Sequence, residues 1–298
     1  MTAKPSFVTI LSMKKGVFQA KKKNGTLYYR AAITHSGRKI SLGSYDTEET
    51  ASNAYEEALR LYESPEITLL SFPLSDCPLS QDKQITILNH RDNGLYIKTP
   101  IYLRKGYFSY FLENFGELKF DNDDLFYYSS HRILCHGGHL YVNDFGMQYG
   151  ILARYGIKNY AVAGRDYRFA NGDDTDFRYE NIIVVNRFHG VCRIEKAGIV
   201  SFEAKIHLNG DFLIGRYETD SLAAVAYNKA ADAATRAGFT KQFPKNYISE
   251  FSSEEYAKTY RAIPLSTRLL DYLRSYNWGT VHKNGESRQR SAAKVFFY

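Results

Sequence analysis

Alternation of apolar and polar residues recurs in two stretches of the chain, one beginning at Gly16 and the other at Gly190. Within each stretch, short alternating runs typical of half-buried β-strands are separated by turn dipeptides. These dipeptides are Asn24-Gly25 and Ser36-Gly37 in the first stretch, and Ala197-Gly198 and Asn209-Gly210 in the second. Apolar residues at helical spacing follow the third run, so each stretch predicts three strands and then a helix.

The two stretches also match position by position over about 45 residues, which indicates an internal repeat. We call residues 16–62 the first repeat and residues 190–234 the second repeat. The matched positions include Gly16-Val17 with Gly190-Val191, Ala31 with Ala204, Leu42-Gly43 with Ile214-Gly215, Tyr45 with Tyr217, Thr47 with Thr219, and Ala54-Tyr55 with Ala226-Tyr227.

Two residues compete for the N-cap of the helix in each repeat. In the first repeat an Asp46 cap would place Glu49 at the third helical position, close to a capping box, whereas a Thr47 cap would not. In the second repeat the candidates are Thr219 and Asp220. The predicted apolar faces consist of Ala51, Ala54, Tyr55, Ala58, Leu59 and Tyr62 in the first helix, and of Leu222, Ala223, Ala226, Tyr227, Ala230 and Ala233 in the second.

The repeated string reads G-V, a basic strand, A-x-I, then [LI]-G-x-Y-x-T and A-x-x-A-Y. It resembles the Apetala-type DNA-binding domain of the plant ethylene-response factors. The A-x-I element is residues 31–33 in the first repeat and 204–206 in the second, while Tyr29 and Phe202 stand where that family commonly has tryptophan. The resemblance implies a three-stranded sheet that enters the DNA major groove, with the helix packed behind it.

The charge distribution favours the same partner. The chain has a net charge of +7 and a pI of about 9.0, and residues 1–45 contain no Asp or Glu. A basic segment interleaved with strand residues indicates a polyanion partner, here double-stranded DNA. The candidate DNA-binding residues are Gln19, Lys21, Lys23, Tyr28, Arg30, Arg38 and Lys39 in the first repeat, and Arg193, Lys196, Lys205, His207 and Arg216 in the second.

The alternative is that these side chains are merely solvent-facing strand residues. This alternative fits the second repeat better than the first, because Glu195, Glu203 and Asp211 offset the positive charge of the second repeat. We therefore expect the first repeat to contribute more affinity, and binding to weaken steeply as salt rises.

Between the repeats, the pattern predicts a linker over residues 71–84 and strands over about residues 85–120 with Asn93-Gly94 as a hairpin turn. It further predicts an acidic turn at residues 121–128, a hairpin at Gly137-Gly138 and a short helix within residues 145–157. His131, Cys135, His136 and His139 raise the possibility of zinc, but their spacing is not that of paired zinc ligands.

Residues 166–182, DYRFANGDDTDFRYENI, resemble the strand–turn–helix of HNH nucleases in the form found in phage homing endonucleases, which often carry Apetala-type domains. The matching residues are Asn171, Gly172, Asp173, Asp176, Arg178 and Asn181. The residues that differ from the HNH pattern are those that the resemblance expects to perform the chemistry. Phe169 replaces the general-base histidine, Arg168 replaces a metal ligand and Phe177 replaces an asparagine. Neither a phenyl ring nor a guanidinium performs those roles, and Asn181 alone does not hold a divalent cation.

Two alternatives would restore catalysis. Asp166, Asp173, Asp174 and Asp176 could form a different metal site, or one of the three histidines at 131, 136 and 139 could act as the base. In that case the chain would be an active HNH endonuclease that uses Mg²⁺ to cut or nick a specific site. The leading interpretation assigns no catalytic residue, no metal and no cofactor.

Together these observations predict an α+β protein with two Apetala-like units around a central HNH-like ββα domain. The predicted domains are residues 1–66, 67–186, 187–250 and a helical extension with a basic tail at 251–298. The expected function is sequence-specific binding of double-stranded DNA, as a transcriptional repressor derived from a phage or mobile-element homing endonuclease. A symmetric operator would require a homodimer, whereas two unequal repeats suit a monomer on an asymmetric site.

The expected location is the cytoplasm of a bacterial host cell, on DNA. Three widely spaced cysteines, Cys77, Cys135 and Cys192, do not form a disulfide framework and fit a reducing compartment. No apolar run approaches the roughly 18 residues of a membrane span, and the N-terminus lacks a signal-peptide cleavage site.

Overall fold

The computed structural model describes residues 14–69, 77–113 and 115–276. The fold is α+β, with several small antiparallel sheets and helices. The chain divides into two compact units, the first formed by Met1–Ile151 with Asp173–Asn181, and the second by Leu152–Gly172 with Ile182–Tyr298. The predicted domain boundaries differ from this division and stay predictions.

The first repeat forms the predicted three strands and helix. Strands β1 (Val17–Lys21), β2 (Leu27–His35) and β3 (Arg38–Tyr45) make an antiparallel sheet in that order, followed by helix α1 (Glu48–Glu63). The N-cap is Thr47, whose side chain accepts a hydrogen bond from the backbone N–H of Thr50, so the Asp46 alternative is wrong. The sheet and helix close over a core of Val17, Ala31, Ile33, Ile40, Leu42, Ala51, Ala54, Tyr55 and Ala58.

Helix α2 (Gln81–Asn93) replaces the end of the predicted linker and part of the strand region predicted from the sequence. Asn93-Gly94 is not a hairpin turn, because Gly94 is the left-handed C-cap of this helix, with φ of 70°. Apolar and polar residues on all sides of α2 are buried, so its sequence has no helical stripe. The polar Asn89 is accommodated by hydrogen bonds to the backbone of residues 95 and 103.

The next sheet consists of β4 (Ile101–Leu103), β5 (Tyr107–Leu112) and β6 (Gly116–Asp121), which confirms the strands expected in residues 101–121. The predicted acidic turn is instead a 3-10 helix, Asn122–Asp124, that continues into α3 (Leu125–Ser130). Burial of Tyr128 in α3 against Phe108 and Phe120 stabilises this helix.

A third sheet in the first unit contains β7 (Ile133–His136), β8 (His139–Asp144) and β9 (Met147–Gly150). The hairpin turn at Gly137-Gly138 is confirmed, since both glycines have positive φ and His136 pairs with His139. The short helix predicted within residues 145–157 is wrong in its first part, which pairs as β9. Only Ile151–Tyr155 is helical, as a 3-10 helix.

The HNH-like stretch contains no α-helix. In the second unit β10 (Tyr167–Phe169) pairs antiparallel with β11 (Ile182–Val184). In the first unit, Tyr179–Asn181 forms one turn of 3-10 helix. The predicted helix does not continue because the β-branched residues of β11 pair as a strand directly after Asn181.

The second repeat reproduces the plan of the first. Strands β12 (Val191–Lys196), β13 (Ile199–His207) and β14 (Asp211–Tyr217) precede α4 (Asp220–Arg236), which is capped by Thr219 and not by Asp220. Helix α5 (Ser253–Ala262) begins at a capping box between Ser252 and Glu255, and residues 267–276 are helical as predicted. Buried Ile263, Leu269 and Leu273 join these segments to the core around α4. The predicted basic tail beyond residue 276 lies outside the described residues.

Candidate nucleic-acid interface

Strand register separates the predicted DNA contacts of the first repeat onto two faces. Ala31 and Ile33 of β2 are buried against α1, so alternation places Tyr28 and Arg30 on the opposite face, which we call the first open face. Cross-strand partners share a face, and the register pairs Phe18 of β1 with Arg30. The first open face comprises Phe18, Ala20, Tyr28, Arg30, Ala32, Thr34, Lys39, Ser41 and Ser44.

Arg30 and Lys39 supply the positive charge of this face. Among the described residues neither forms an ion pair, and no Asp or Glu lies within residues 1–45. The Lys39 ammonium sits 4.5 Å from the ring centroid of Phe18, in cation–π geometry. A shallow groove of ≈ 500 Å³ runs between these side chains, lined also by Ala32 and Ser41.

The other predicted contacts of the first repeat lie elsewhere. Gln19 and Lys21 are exposed near the edge of the sheet, in register with the face that carries α1. Arg38 also belongs to that face, and its guanidinium lies 4.4 Å from the ring centroid of Tyr96. Lys23 is exposed in the turn between β1 and β2. The fold therefore brings Tyr28, Arg30 and Lys39 together and leaves these four residues apart from them.

The alternation Ile40-Ser41-Leu42 in the sequence already indicated that Arg38 and Lys39 lie on opposite faces of the sheet. Ile40 and Leu42 are both buried, so Arg38 shares their face and Lys39 shares the face of Ser41. Phe18 is the contact candidate that the sequence analysis missed. It is 48% exposed and lies beside Arg30, so it offers an aromatic surface within the basic groove. An apolar residue out of phase with buried Val17 was the signal for it.

The second repeat places Lys196, Lys205, His207 and Arg216 on its own open face, by the same register argument. This second open face also carries Glu203, which the sequence analysis did not assign to the interface. Its carboxylate pairs with the Lys205 ammonium at 2.7 Å and with the Arg216 guanidinium at 2.9 Å. The hydrogen bond from Lys205, followed by that from Arg216, lowers the pKa of Glu203 against the opposing effect of burial.

Two more of the predicted basic residues have acidic partners. His207 lies 2.7 Å from Asp211, and Arg193 lies 2.9 Å from Glu195, on the face that carries α4. Glu203 and Asp211 therefore offset part of the positive charge of the second open face, in contrast to the first.

Two carboxylates of the HNH-like turn in the first unit, Asp173 and Asp176, are held by neighbouring donors, whereas Asp174 is exposed. Asp173 accepts hydrogen bonds from the Thr175 hydroxyl at 2.6 Å and from the Lys119 ammonium at 2.9 Å, which lower its pKa to about 2. Asp176 is buried and makes a bidentate pair with Arg178. Asn181 donates its amide hydrogens to the backbone oxygens of Asp173 and Asp176.

The positions that depart from the HNH pattern have structural surroundings of their own. Phe177 is buried and stacks on Phe120 with ring centroids 5.5 Å apart. Arg168 is an exposed residue of β10, and Phe169 contacts Tyr167 edge to face. The structure thus uses Phe177 as a core residue of the first unit.

Asp166, in the second unit, is also committed to internal partners. It is 1% exposed and lies 3.0 Å from the Lys158 ammonium and 2.6 Å from the Arg165 guanidinium. Burial opposes ionisation, but the hydrogen bonds from Arg165, Val162 and Lys158 outweigh it and lower the pKa of this carboxyl. Asp166 therefore serves as a buried anchor for the surrounding loop.

The histidines proposed as alternatives have local roles. The His131 ring stacks on Tyr127, its Nδ1 lies 2.9 Å from the Tyr127 carbonyl oxygen, and its Nε2 lies 3.5 Å from Asp144. His136 and His139 are exposed beside their hairpin turn. Within residues 14–69, 77–113 and 115–276, no three His, Cys, Asp or Glu side chains are grouped so that they could hold a metal ion.

Comparison with known proteins adds no assignment, since no family model, no curated protein and no solved structure matches this chain. The two resemblances therefore rest on the residues quoted for them. None of the helices in the described part of the chain is long and apolar enough to cross a membrane.

Proposed function

We propose that this protein binds double-stranded DNA in a sequence-specific manner, with the first open face as its principal contact. The supporting observation is that Arg30 and Lys39, which form no ion pair within the described residues, flank an exposed aromatic ring on that face. The three strands of this sheet contain no Asp or Glu. Sheet side chains enter the major groove readily, and an arginine there reads guanine by a bidentate contact. Lysine beside it neutralises phosphate.

The proposed role is occupancy of an operator, which represses transcription, by a protein descended from a homing endonuclease that no longer cuts. The state of the HNH-like turn supports the loss of cutting. A metal site needs carboxylates that are free to bind the ion, whereas Asp173, Asp176 and Asp166 each neutralise a lysine or arginine. Phe177 fills a core position in place of a polar group.

The decisive experiment selects duplexes from a random pool with the full chain and measures affinity for the winners against scrambled duplexes. We expect a selected sequence to bind at least about 10³-fold more tightly than scrambled DNA, as specific DNA-binding proteins do. The selected duplex is then incubated with the protein and Mg²⁺ or Mn²⁺, and we expect a retarded complex and intact strands.

Matched variants locate the contact. Arg30→Ala should weaken specific binding by about 1–3 kcal/mol and relax the preference at one base pair. Arg60→Ala removes the same charge from the Glu57 ion pair on α1 and should leave the selected sequence and its affinity unchanged. Equal effects of the two variants, or no preference over scrambled DNA, would refute the proposal.

Cleavage would favour the endonuclease alternative instead. Strand scission that requires metal and is abolished by Asn181→Ala or Asp173→Ala would show that the turn retains its chemistry. In that event the binding proposal would stand and the non-cutting part would fall.

A further inference from the structure

Glu203 occupies in the second repeat the position that Arg30 occupies in the first. Each residue directly precedes the matched alanine of its strand, Ala204 or Ala31. The register places Arg30 opposite Ser44 and Glu203 opposite Arg216. Each open face therefore carries one guanidinium at this cross-strand pair, supplied by the middle strand in the first repeat and by the third strand in the second.

The carboxylate of Glu203 engages two cations at once. Its Oε1 accepts a hydrogen bond from Nε of Arg216 at 2.9 Å and also lies 2.9 Å from Nη2, while its Oε2 lies 2.7 Å from Nζ of Lys205. The side chain of Glu203 is only 7% exposed, whereas that of Arg216 is 59% exposed. The carboxylate is thus covered by the cations, and the guanidinium faces solvent.

The way in which Arg216 is held leaves one edge of its guanidinium available. The group is planar and presents its five N–H donors in a fixed fork. Glu203 takes the edge formed by Nε and Nη2, so the edge formed by Nη1 and the second Nη2 hydrogen is directed away from the carboxylate. The two donors of that second edge can contact O6 and N7 of guanine in a bidentate arrangement.

We propose that Glu203 is a positioning residue that holds Arg216 ready to read one guanine in the major groove, an inference that rests on the proposed DNA binding. Fixing the long arginine side chain before binding reduces the entropy lost in the complex. Glu203, Lys205 and Arg216 together keep a net positive charge, because one carboxylate faces two cations. The group therefore still attracts DNA.

A purely electrostatic role of Glu203 makes a different prediction from a positioning role. Glu203→Ala removes a negative charge beside the DNA, so a carboxylate that only neutralises would give uniformly tighter binding and the same selected sequence. A positioning carboxylate would instead give about a tenfold loss of guanine preference at one position of the site, with affinity for scrambled duplex unchanged or higher.

The test measures base preference of the full chain at each position of the selected duplex for Glu203→Ala, Glu203→Gln and Arg216→Ala. Gln keeps one acceptor oxygen and should retain an intermediate preference. Arg216→Ala should lose preference at the same position, and adding Glu203→Ala to it should change nothing further. Glu195→Ala is the charge-matched control, since it removes the partner of Arg193 on the other face.

Circular dichroism of each variant verifies folding, and the Gln variant decides the matter if the Ala variant does not fold. Unchanged guanine preference in the Glu203 variants, with the wild type selecting a sequence, overturns the positioning role and leaves the proposed function intact. Failure of the wild type to select any sequence overturns both.

Discussion

At the scale of single residues, the repeat's matched glycines have a common steric reason. Gly16 and Gly190 directly precede the first strand of their sheets, with φ of 73° and 69°. A Cβ at either position would lie 2.1 Å from the ring of Tyr55 or Tyr227 on the helix behind the sheet. The matched Gly-Val and Ala-Tyr elements are therefore two sides of one contact, repeated in each copy.

Gly190→Ala should destabilise the second unit by about 2–5 kcal/mol, because it combines a left-handed backbone with overpacking. Urea denaturation of the full chain measures the change. Gly198→Ala is the matched control, since Gly198 has φ of 78° but nothing within 4 Å of its Cβ position. That variant should cost only about 1–2 kcal/mol. Equal costs would show that the contact with Tyr227 is unimportant.

Asp173 shows how a residue of the nuclease-like pattern is tied to the fold. Thr175→Val removes the hydroxyl that donates to its carboxylate, the largest cause of the lowered pKa, and should raise the pKa of Asp173 above about 2. NMR titration of the carboxyl carbon measures it, and Thr175→Ser, which keeps the hydroxyl, should leave it low.

The lowered pKa of Asp173 determines how its contribution to the stability of the fold changes with pH. The folded chain holds the Asp173 carboxylate more strongly than the unfolded chain does, so this stabilisation is present above the ordinary pKa of about 3.9. It is lost as the pH falls through about 2. Thr175→Val should therefore lower stability at neutral pH and show a smaller loss on acidification. An unchanged pKa would mean that Lys119 and the backbone N–H of Thr175 are enough to hold the carboxylate.

At the scale of elements, helix α2 illustrates where pattern reading fails. Gln84, Thr86 and Asn89 are buried beside Ile85, Ile87 and Leu88, so no polar face marks the helix. The alternation over residues 85–88 is therefore typical of a strand, although these residues lie in a helix whose Gln84 and Asn89 amides donate hydrogen bonds to the carbonyl oxygens of Leu79 and Leu95. Turn dipeptides were reliable where strands flanked them, as at Ser36-Gly37, and misleading at Asn93-Gly94, where a helix ends.

The packing of α2 on the first repeat should be sensitive to pH. His90 is 8% exposed, and its Nδ1 lies 2.8 Å from the Tyr62 hydroxyl. Burial, and then the nearby His35 and Arg38, lower its pKa, and the ring of Tyr96 lies 6.0 Å away. As the pH falls below about 6.5, the unfolded chain therefore binds a proton at His90 more readily than the folded chain does.

We expect the free energy of unfolding to decrease between pH 7.5 and 5.5 by at most about 1.4 kcal/mol per pH unit from this group. His90→Gln keeps an acceptor for Tyr62 and should reduce that dependence. His139→Gln, at an exposed position, should not. Denaturation curves at several pH values provide the measurement, and the same pH dependence in His90→Gln would exclude His90 as its source.

At the scale of the whole molecule, the net charge of +7 is not equally available for DNA binding in the two repeats. In the first repeat Arg30 and Lys39 are exposed without acidic partners among the described residues, whereas Lys205 and Arg216 of the second share Glu203. We therefore propose that the first repeat contributes most of the affinity for DNA, and that Arg30 in the first repeat and Arg216 in the second discriminate between base pairs.

The salt dependence of binding should reveal this division. Each phosphate neutralised contributes about −0.9 to the slope of log K against log salt. Lys39→Ala should make that slope shallower by about 1. Lys98→Ala, an exposed lysine outside the repeats, should leave the slope unchanged. Fluorescence anisotropy across a salt series measures both, and identical slopes for wild type and Lys39→Ala would remove Lys39 from the interface.

The sequence by itself determined the features that depend on short-range physics. Turn dipeptides, strand alternation and helical spacing predicted the three-stranded sheet of each repeat and helices α1, α4 and α5, because neighbouring residues impose these conformations. The replacement of histidine by Phe169 and of asparagine by Phe177 was also visible, since it concerns residue type alone.

Only the tertiary structure decided what each charged side chain is paired with. Lys119 reaches Asp173 across 54 positions of sequence, and Arg216 reaches Glu203 across 13. Charge interactions require proximity in space, which strand register and packing create between distant segments. Arg30 therefore forms no ion pair within the described residues, whereas Arg216 pairs with Glu203, a difference that only the fold reveals.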